Sequence, residues 1–90
     1  MKVRELLSDE SKWTKGNWAR TGDGLGVYYE CPEAVCWCLD GAIHLAYGDD
    51  WLPVRGKVCE HLGVTHLWDW NDSSRRTFAE VKALVEELDI

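Results

Sequence analysis

The most apolar segment of the chain is CPEAVCWCLDGAIHLAYG, residues 31–48. Pro32 and Glu33 suit the first turn of a helix, because proline has a fixed φ and a carboxylate favours the positive end of the helix dipole. The helix would carry one apolar stripe, made of Val35, Cys38, Leu39, Ala42 and Ala46. We therefore expect a buried central helix over residues 32–47, ended by Gly48.

Gly41 lies inside this expected helix. A glycine in a helix interior costs about 1 kcal/mol relative to alanine, so its presence needs a reason. We expect that another element of the fold approaches the helix closely at Gly41.

The flanking sequence predicts three more helices. Residues 2–11 carry Val3, Leu6 and Leu7 at helical spacing. A third helix is expected between Asp50 as its N-cap and Gly63 at its C-terminal end. The last helix begins at Thr77, which forms a capping box with Glu80, and its apolar face comprises Phe78, Val81, Leu84, Val85 and Leu88.

The remaining segments are shorter. Residues 17–21 and 25–30 flank the turn Gly22-Asp23-Gly24 and predict a small β-hairpin. Residues 64–68 fit either a short strand or an extended connection. The expected architecture is a single α+β domain over residues 1–90, with about four helices, one hairpin and the central helix buried against the capped C-terminal helix.

Composition narrows the classes of partner. The chain has 90 residues, 46% of them hydrophobic, with 10 Lys+Arg against 16 Asp+Glu and a net charge of −6. The acidic balance argues against direct binding of nucleic acid or an anionic membrane, and favours a protein partner with a basic surface. No apolar run approaches a membrane span, and charges occur too early for a secretory signal. We expect a cytoplasmic protein.

The cysteines and histidines do not have the spacing of a zinc site. They occur as C-x4-C-x-C (Cys31, Cys36, Cys38) and C-x-H (Cys59, His61), whereas structural zinc ligands usually pair as C-x2-4-C and H-x3-5-H. If residues 32–47 form a helix, Cys36 and Cys38 are two positions apart and point in directions that differ by about 200° around its axis. They could therefore not share a metal ion. We expect no metal, no cofactor and no disulfide.

A cysteine-dependent enzyme is the alternative. Cys36, Asp40 and His44 would share a helical face, but two turns, roughly 12 Å, separate the thiol from the imidazole. A dyad with Cys36 therefore needs a histidine from elsewhere, His61 or His66. The alternative hypothesis is a small enzyme or metal-binding protein built on Cys36 in this way.

The segment before the last helix holds the candidate interaction residues. Tryptophan and arginine are favoured anchors at protein interfaces. Against this stands a packing interpretation, favoured here, in which Trp70 fills the core edge while Asn71 and Asp72 form side-chain turns. The candidates are Trp68, Asp69, Trp70, Asn71, Asp72, Arg75 and Arg76.

Several short elements, in order, resemble a small bacterial and bacteriophage domain family of unknown function. They are W-x-x-G at residues 13–16, C-L-x-G-A-[IL] at 38–43, W-N-D at 70–72 and R-T-x-x-E-V at 76–81. The resemblance implies a packing role for Cys38 and a contact between the central helix and Asn71-Asp72. Cys36 is an addition to the pattern, and no activity follows from the resemblance.

Excess tryptophan, negative charge and the missing catalytic motifs favour a non-enzymatic protein that acts through protein–protein interaction. A phage setting would suit a small acidic inhibitor of a host nucleic-acid-binding (defence) complex.

Overall fold

Five α-helices and a three-stranded antiparallel sheet make up the computed structural model, which describes residues 1–90. The helices are α1 (Val3–Leu6), α2 (Leu39–Tyr47), α3 (Trp51–Leu62), α4 (Leu67–Asp72) and α5 (Phe78–Glu87). The strands are β1 (Ala19–Thr21), β2 (Gly26–Val27) and β3 (Ala34–Trp37), in the order β2-β1-β3. This is the expected α+β class, and no helix has the length and hydrophobicity that a membrane span requires.

The central segment differs from the predicted single helix. Residues 34–37 form β3, which pairs antiparallel with β1, and α2 starts only at Leu39. Cys38 is the N-cap of α2, and its Sγ accepts a hydrogen bond from the amide of Gly41 at 3.2 Å. The helix expected over residues 32–47 was wrong in its first half because strand pairing, a long-range interaction, overrides local helix signals. Its buried second half and its end at Gly48 are confirmed.

The hairpin is confirmed, and the sheet extends beyond it. β1 and β2 pair around the predicted turn, where Gly24 has a φ of +87° and its amide donates to the Thr21 carbonyl at 2.9 Å. On the other edge, the Trp37 carbonyl accepts from the Thr14 amide at 3.0 Å. The sheet therefore fixes the N-terminal loop next to the start of α2.

The predicted ends of the other helices agree with the structure in some cases and differ in others. α1 ends at Leu6, and only a separate 3-10 turn at Glu10–Lys12 follows, so the predicted helix over 2–11 is shorter. Gly63 ends α3 with a φ of +68°, as expected. Residues 64–66 form a connection rather than a strand, and Leu67 and Trp68 already belong to α4.

The core forms where the helices meet. Eleven buried residues make one cluster: Val3, Leu7, Leu39, Ala42, Ile43, Val58, Leu67, Val81, Leu84, Val85 and Ile90. α2 lies against α1, α3 and α4, whereas α5 lies against α1. α2 and α5 share this core, to which α2 contributes Leu39, Ala42 and Ile43, and α5 contributes Val81, Leu84 and Val85. The capping box of α5 is confirmed, with Thr77 and Glu80 bonded reciprocally.

Gly41 permits the close approach that its position predicted. A Cβ added there would overlap the backbone carbonyl oxygen of Trp18, which accepts a hydrogen bond from the Cys38 amide at 3.1 Å. The segment that leads into β1 thus touches the backbone of α2 directly. Gly56 in α3 has no atom within 4 Å of an added Cβ.

These two glycines give a matched test of the packing. Gly41→Ala should lower the free energy of unfolding by about 1–3 kcal/mol, because the methyl group overpacks against fixed backbone. Gly56→Ala should raise it by up to about 1 kcal/mol, because alanine is the better helix former in open space. Urea unfolding followed by circular dichroism measures both, and stabilisation by both substitutions would contradict the contact at Gly41.

Candidate functional site

Asn71 is fully buried and uses its whole hydrogen-bonding capacity. Its Oδ1 accepts from the indole Nε1 of Trp13 at 2.7 Å and from the amide of Leu39 at 3.0 Å. Its Nδ2 donates to the Thr14 carbonyl at 3.1 Å and to Oδ1 of Asp72 at 2.9 Å. One side chain in α4 therefore joins the N-terminal loop to the first turn of α2. Its bond with the Leu39 amide is the contact that the resemblance implied between the central helix and Asn71-Asp72.

Asp72 extends this junction to the surface. Its Oδ1 also accepts from the amide of Gly16 at 3.0 Å, and Gly16 has a φ of +82°, a conformation that favours glycine. Beside it, Lys15 Nζ donates to the Ser73 carbonyl at 2.7 Å. The W-x-x-G and W-N-D segments are thus bonded to each other through their glycine and their aspartate.

Trp70 and Arg76, two of the candidate interaction residues, contact each other. The Arg76 guanidinium lies 3.9 Å from the centre of the Trp70 ring, and Nε donates to the Trp70 carbonyl at 2.9 Å. Arg76 Nη1 also donates to Glu80 Oε2 at 2.7 Å, at the start of α5. Both side chains hold the connection between α4 and α5 in place.

The other candidates are exposed. Trp68 has 48% of its surface exposed, and its ring stacks on His66 with centroids 4.5 Å apart. Asp69 and Arg75 are also exposed, and neither forms an ion pair. Of the seven candidates, Trp68, Asp69, Asp72 and Arg75 are therefore exposed.

A cleft of about 300 Å³ opens beside the Asn71 junction. Two of its lining residues are exposed tryptophans, Trp18 and Trp68, with 38% and 48% of their surfaces exposed, and we call them its rim. Cys38 and Asp40 are its buried lining residues, with 5% and 3% exposed, and we call them its deep end. We call the cleft as a whole the Trp cleft. Its lining comprises Gly16, Asn17, Trp18, Cys38, Asp40, Trp68 and Asp72.

Asp40 is a buried carboxylate with incomplete hydrogen bonding. Its Oδ2 lies 3.3 Å from Nε of Arg55 in α3. Its Oδ1 lies 3.4 Å from Nδ1 of His44 but accepts no hydrogen bond, because Nδ1 donates to the Asp40 backbone carbonyl at 2.9 Å. Asp40 thus lies next to His44 of its own helix and is paired with Arg55 from α3. Ion pairing with Arg55 offsets part of the cost of burying this charge.

Aromatic rings surround His44 behind the cleft. Its ring stacks on Trp51 at 4.2 Å between centroids, and Trp18 meets it edge-on at 5.1 Å. Tyr29 lies 5.1 Å away on another side. This packing fixes the inner side of Trp18 and leaves its outer part at the rim of the Trp cleft.

The thiols do not have the surroundings of a nucleophile. Burial raises the pKa of Cys38 to about 11, so this thiol stays protonated at neutral pH. Cys36 lies in β3, so it does not share a helical face with Asp40 and His44. Contrary to expectation, Cys36 and Cys38 also do not lie two residues apart on one helix. The Cys36 Sγ lies 3.9 Å from the Arg20 carbonyl oxygen.

The two remaining histidines lie against other partners. His61 Nε2 is 3.6 Å from Glu87 Oε2, and His66 stacks on Trp68. No histidine is hydrogen-bonded to Cys36. No group of three or more His, Cys, Asp or Glu side chains is placed to hold a metal ion.

The chain belongs to the Family of unknown function (DUF6197), whose profile matches residues 1–88. This confirms the expected membership of a small domain family of unknown function. Neither the curated proteins nor the solved structures gave a match.

Removal of Asn71 should separate the segments that it joins. Asn71→Ala leaves the Leu39 amide and the Trp13 indole without an acceptor and the Thr14 carbonyl without a donor. At about 1–3 kcal/mol for each unsatisfied buried group, we expect a loss of at least about 3 kcal/mol in the free energy of unfolding.

Asn17→Ala is the matched control, because Asn17 is exposed and its side chain makes no hydrogen bond; it should change stability by less than about 0.5 kcal/mol. Denaturant unfolding monitored by tryptophan fluorescence compares the two variants. Equal stability of both would mean that the hydrogen bonds of Asn71 do not hold these segments together.

Proposed function

We propose that this protein is a non-enzymatic interaction module that binds a basic protein partner through the surface around the Trp cleft. The observation that carries the proposal is the combination at this cleft of two exposed tryptophans, Trp18 and Trp68, with the carboxylates of Asp40 and Asp72. Apolar anchors beside negative charge suit a cationic surface.

The two tryptophans support binding because each has an apolar surface that this chain leaves in water. Trp18 is held from behind by His44 and Tyr29, so its ring is positioned before a partner arrives, whereas Trp68 stacks on His66, which is also exposed. A rigid exposed aromatic ring loses little conformational entropy on binding and can bury a large area.

Charge supports the same surface. Asp69 and Asp72 lie on α4 next to Trp68, and neither pairs with a lysine or arginine of this chain. With a net charge of −6, the protein attracts a basic surface over distances set by the salt concentration. Binding should therefore weaken as salt rises.

A protein that itself binds nucleic acid is the class of partner with the required basic surface. We propose that this module occupies such a surface, as a phage-encoded inhibitor of a host nucleic-acid-binding (defence) complex would. The four free cysteines suit the reducing cytoplasm, where we place the interaction. The competing hypothesis, an enzyme built on Cys36, has less support because no histidine bonds to that thiol.

Affinity capture with single-residue variants tests the proposal. The immobilised protein should retain a basic protein from extract at low salt and release it as salt rises. Trp68→Ala should weaken retention at least about tenfold, which is the loss expected for an aromatic anchor.

Leu52→Ala is the control, because Leu52 is an exposed apolar side chain on α3 and does not line the Trp cleft. Retention that the control keeps and Trp68→Ala loses supports the proposal. Absence of any captured protein at low salt, or equal retention by both variants, would refute it.

A further inference from the structure

We infer that the Trp cleft is a pocket for the side chain of an arginine, with the guanidinium group stacked on the rim tryptophans and hydrogen-bonded to Asp72. Asp40 supplies a buried negative charge behind it. The inference deepens the proposed function and depends on it for the source of the arginine, which is the basic partner.

The size of the cleft fits one side chain. Its volume of about 300 Å³ is at the lower end of the range for ligand pockets in proteins. A helix or a strand of a partner is too large for this volume, whereas one long side chain can enter and leave its own backbone at the rim. The partner is then anchored by a single residue in the cleft.

Asp72 offers a fixed and unused acceptor. Its Oδ1 is held by the Gly16 amide and by Asn71 Nδ2, whereas its Oδ2 accepts no hydrogen bond and the carboxylate has no ion pair. Because two bonds to Oδ1 fix the orientation of the carboxylate, Oδ2 is available to a donor without further ordering. A cationic donor makes the strongest hydrogen bond with it.

Two cations of this chain near the cleft, Lys15 and Arg20, bond to neutral acceptors. Lys15 Nζ donates to the Ser73 carbonyl. Arg20 donates to the Thr14 hydroxyl at 3.0 Å and to the carbonyls of Gly24 and Lys15 at 3.0 and 3.1 Å. Neither side chain pairs with a carboxylate of the cleft, and Asp40 has Arg55 as its one arginine partner.

The shape of the guanidinium decides between arginine and lysine. A guanidinium is planar, stacks on an indole ring and still presents N–H donors at its edge, whereas an ammonium is a compact and strongly hydrated charge. The protein contains one such pair already, because Arg76 lies 3.9 Å from the centre of the Trp70 ring. A rim of two tryptophans beside a carboxylate offers the same contacts to an arginine from outside.

Titration with a capped amino acid tests the pocket without the partner. The probe is N-acetyl-arginine amide, and the readout is the indole N–H resonances of the protein. Those of Trp18 and Trp68 should shift, because the guanidinium stacks on these two rings, whereas those of Trp13 and Trp37, which are bonded internally and do not line the cleft, should not. N-acetyl-lysine amide should bind more weakly.

Asp72→Asn and Asp69→Asn form the matched pair. Both remove one negative charge from α4, but Asp72 alone lines the cleft, and the amide oxygen of the substituted side chain can still accept from the Gly16 amide. Asp72→Asn should weaken arginine binding about tenfold, and Asp69→Asn should leave it nearly unchanged.

Three results would overturn the arginine pocket: no shift of either indole, equal binding of the arginine and lysine probes, or equal losses in the two aspartate variants. The outcome is separable from the proposed function. Arginine binding without any captured partner would refute the function and keep the pocket. A captured partner whose retention survives Asp72→Asn would keep the function and refute the arginine anchor.

Discussion

The side chain of Asn71 makes four hydrogen bonds inside the protein, and the positions of three separate segments depend on them. A buried amide must satisfy two donors and an acceptor, and each unmet group would cost about 1–3 kcal/mol. This requirement brings the Trp13–Thr14 loop, the first turn of α2 and α4 to one point. An apolar side chain of similar size could fill the space but could not specify this arrangement.

The Trp cleft follows from that junction. Gly16, bonded to Asp72 next to Asn71, brings the N-terminal loop to one side of the cleft. The contact of Gly41 with the Trp18 backbone brings the segment that leads into β1 next to the first turn of α2, where Asp40 lies. The Gly16 amide and the Asn71 side chain hold the Asp72 carboxylate, and Arg55 holds that of Asp40, so both carboxylates are oriented before any ligand binds. Preorganisation of this kind lowers the entropic cost of binding.

Local signals predicted the features that depend on a few neighbouring residues. The Thr77–Glu80 capping box, the end of α3 at Gly63 and the close approach at Gly41 were all correct. β3 was missed because its pairing with β1 joins residues far apart in the sequence. α4 was missed because six residues give too short a period to recognise.

The residues of the Trp cleft were likewise predicted from the sequence only in part. Trp68 and Asp72 were among the candidates because aromatic and acidic residues cluster there in the sequence, whereas Trp18 and the Asp40–Arg55 pair come together only through tertiary packing.

Native-state hydrogen exchange of the Leu39 amide and the Trp13 indole tests the role of Asn71 most directly. Both protons should exchange only by global unfolding, as slowly as the core amides of α5. Fast exchange of either, with α5 still protected, would contradict the account.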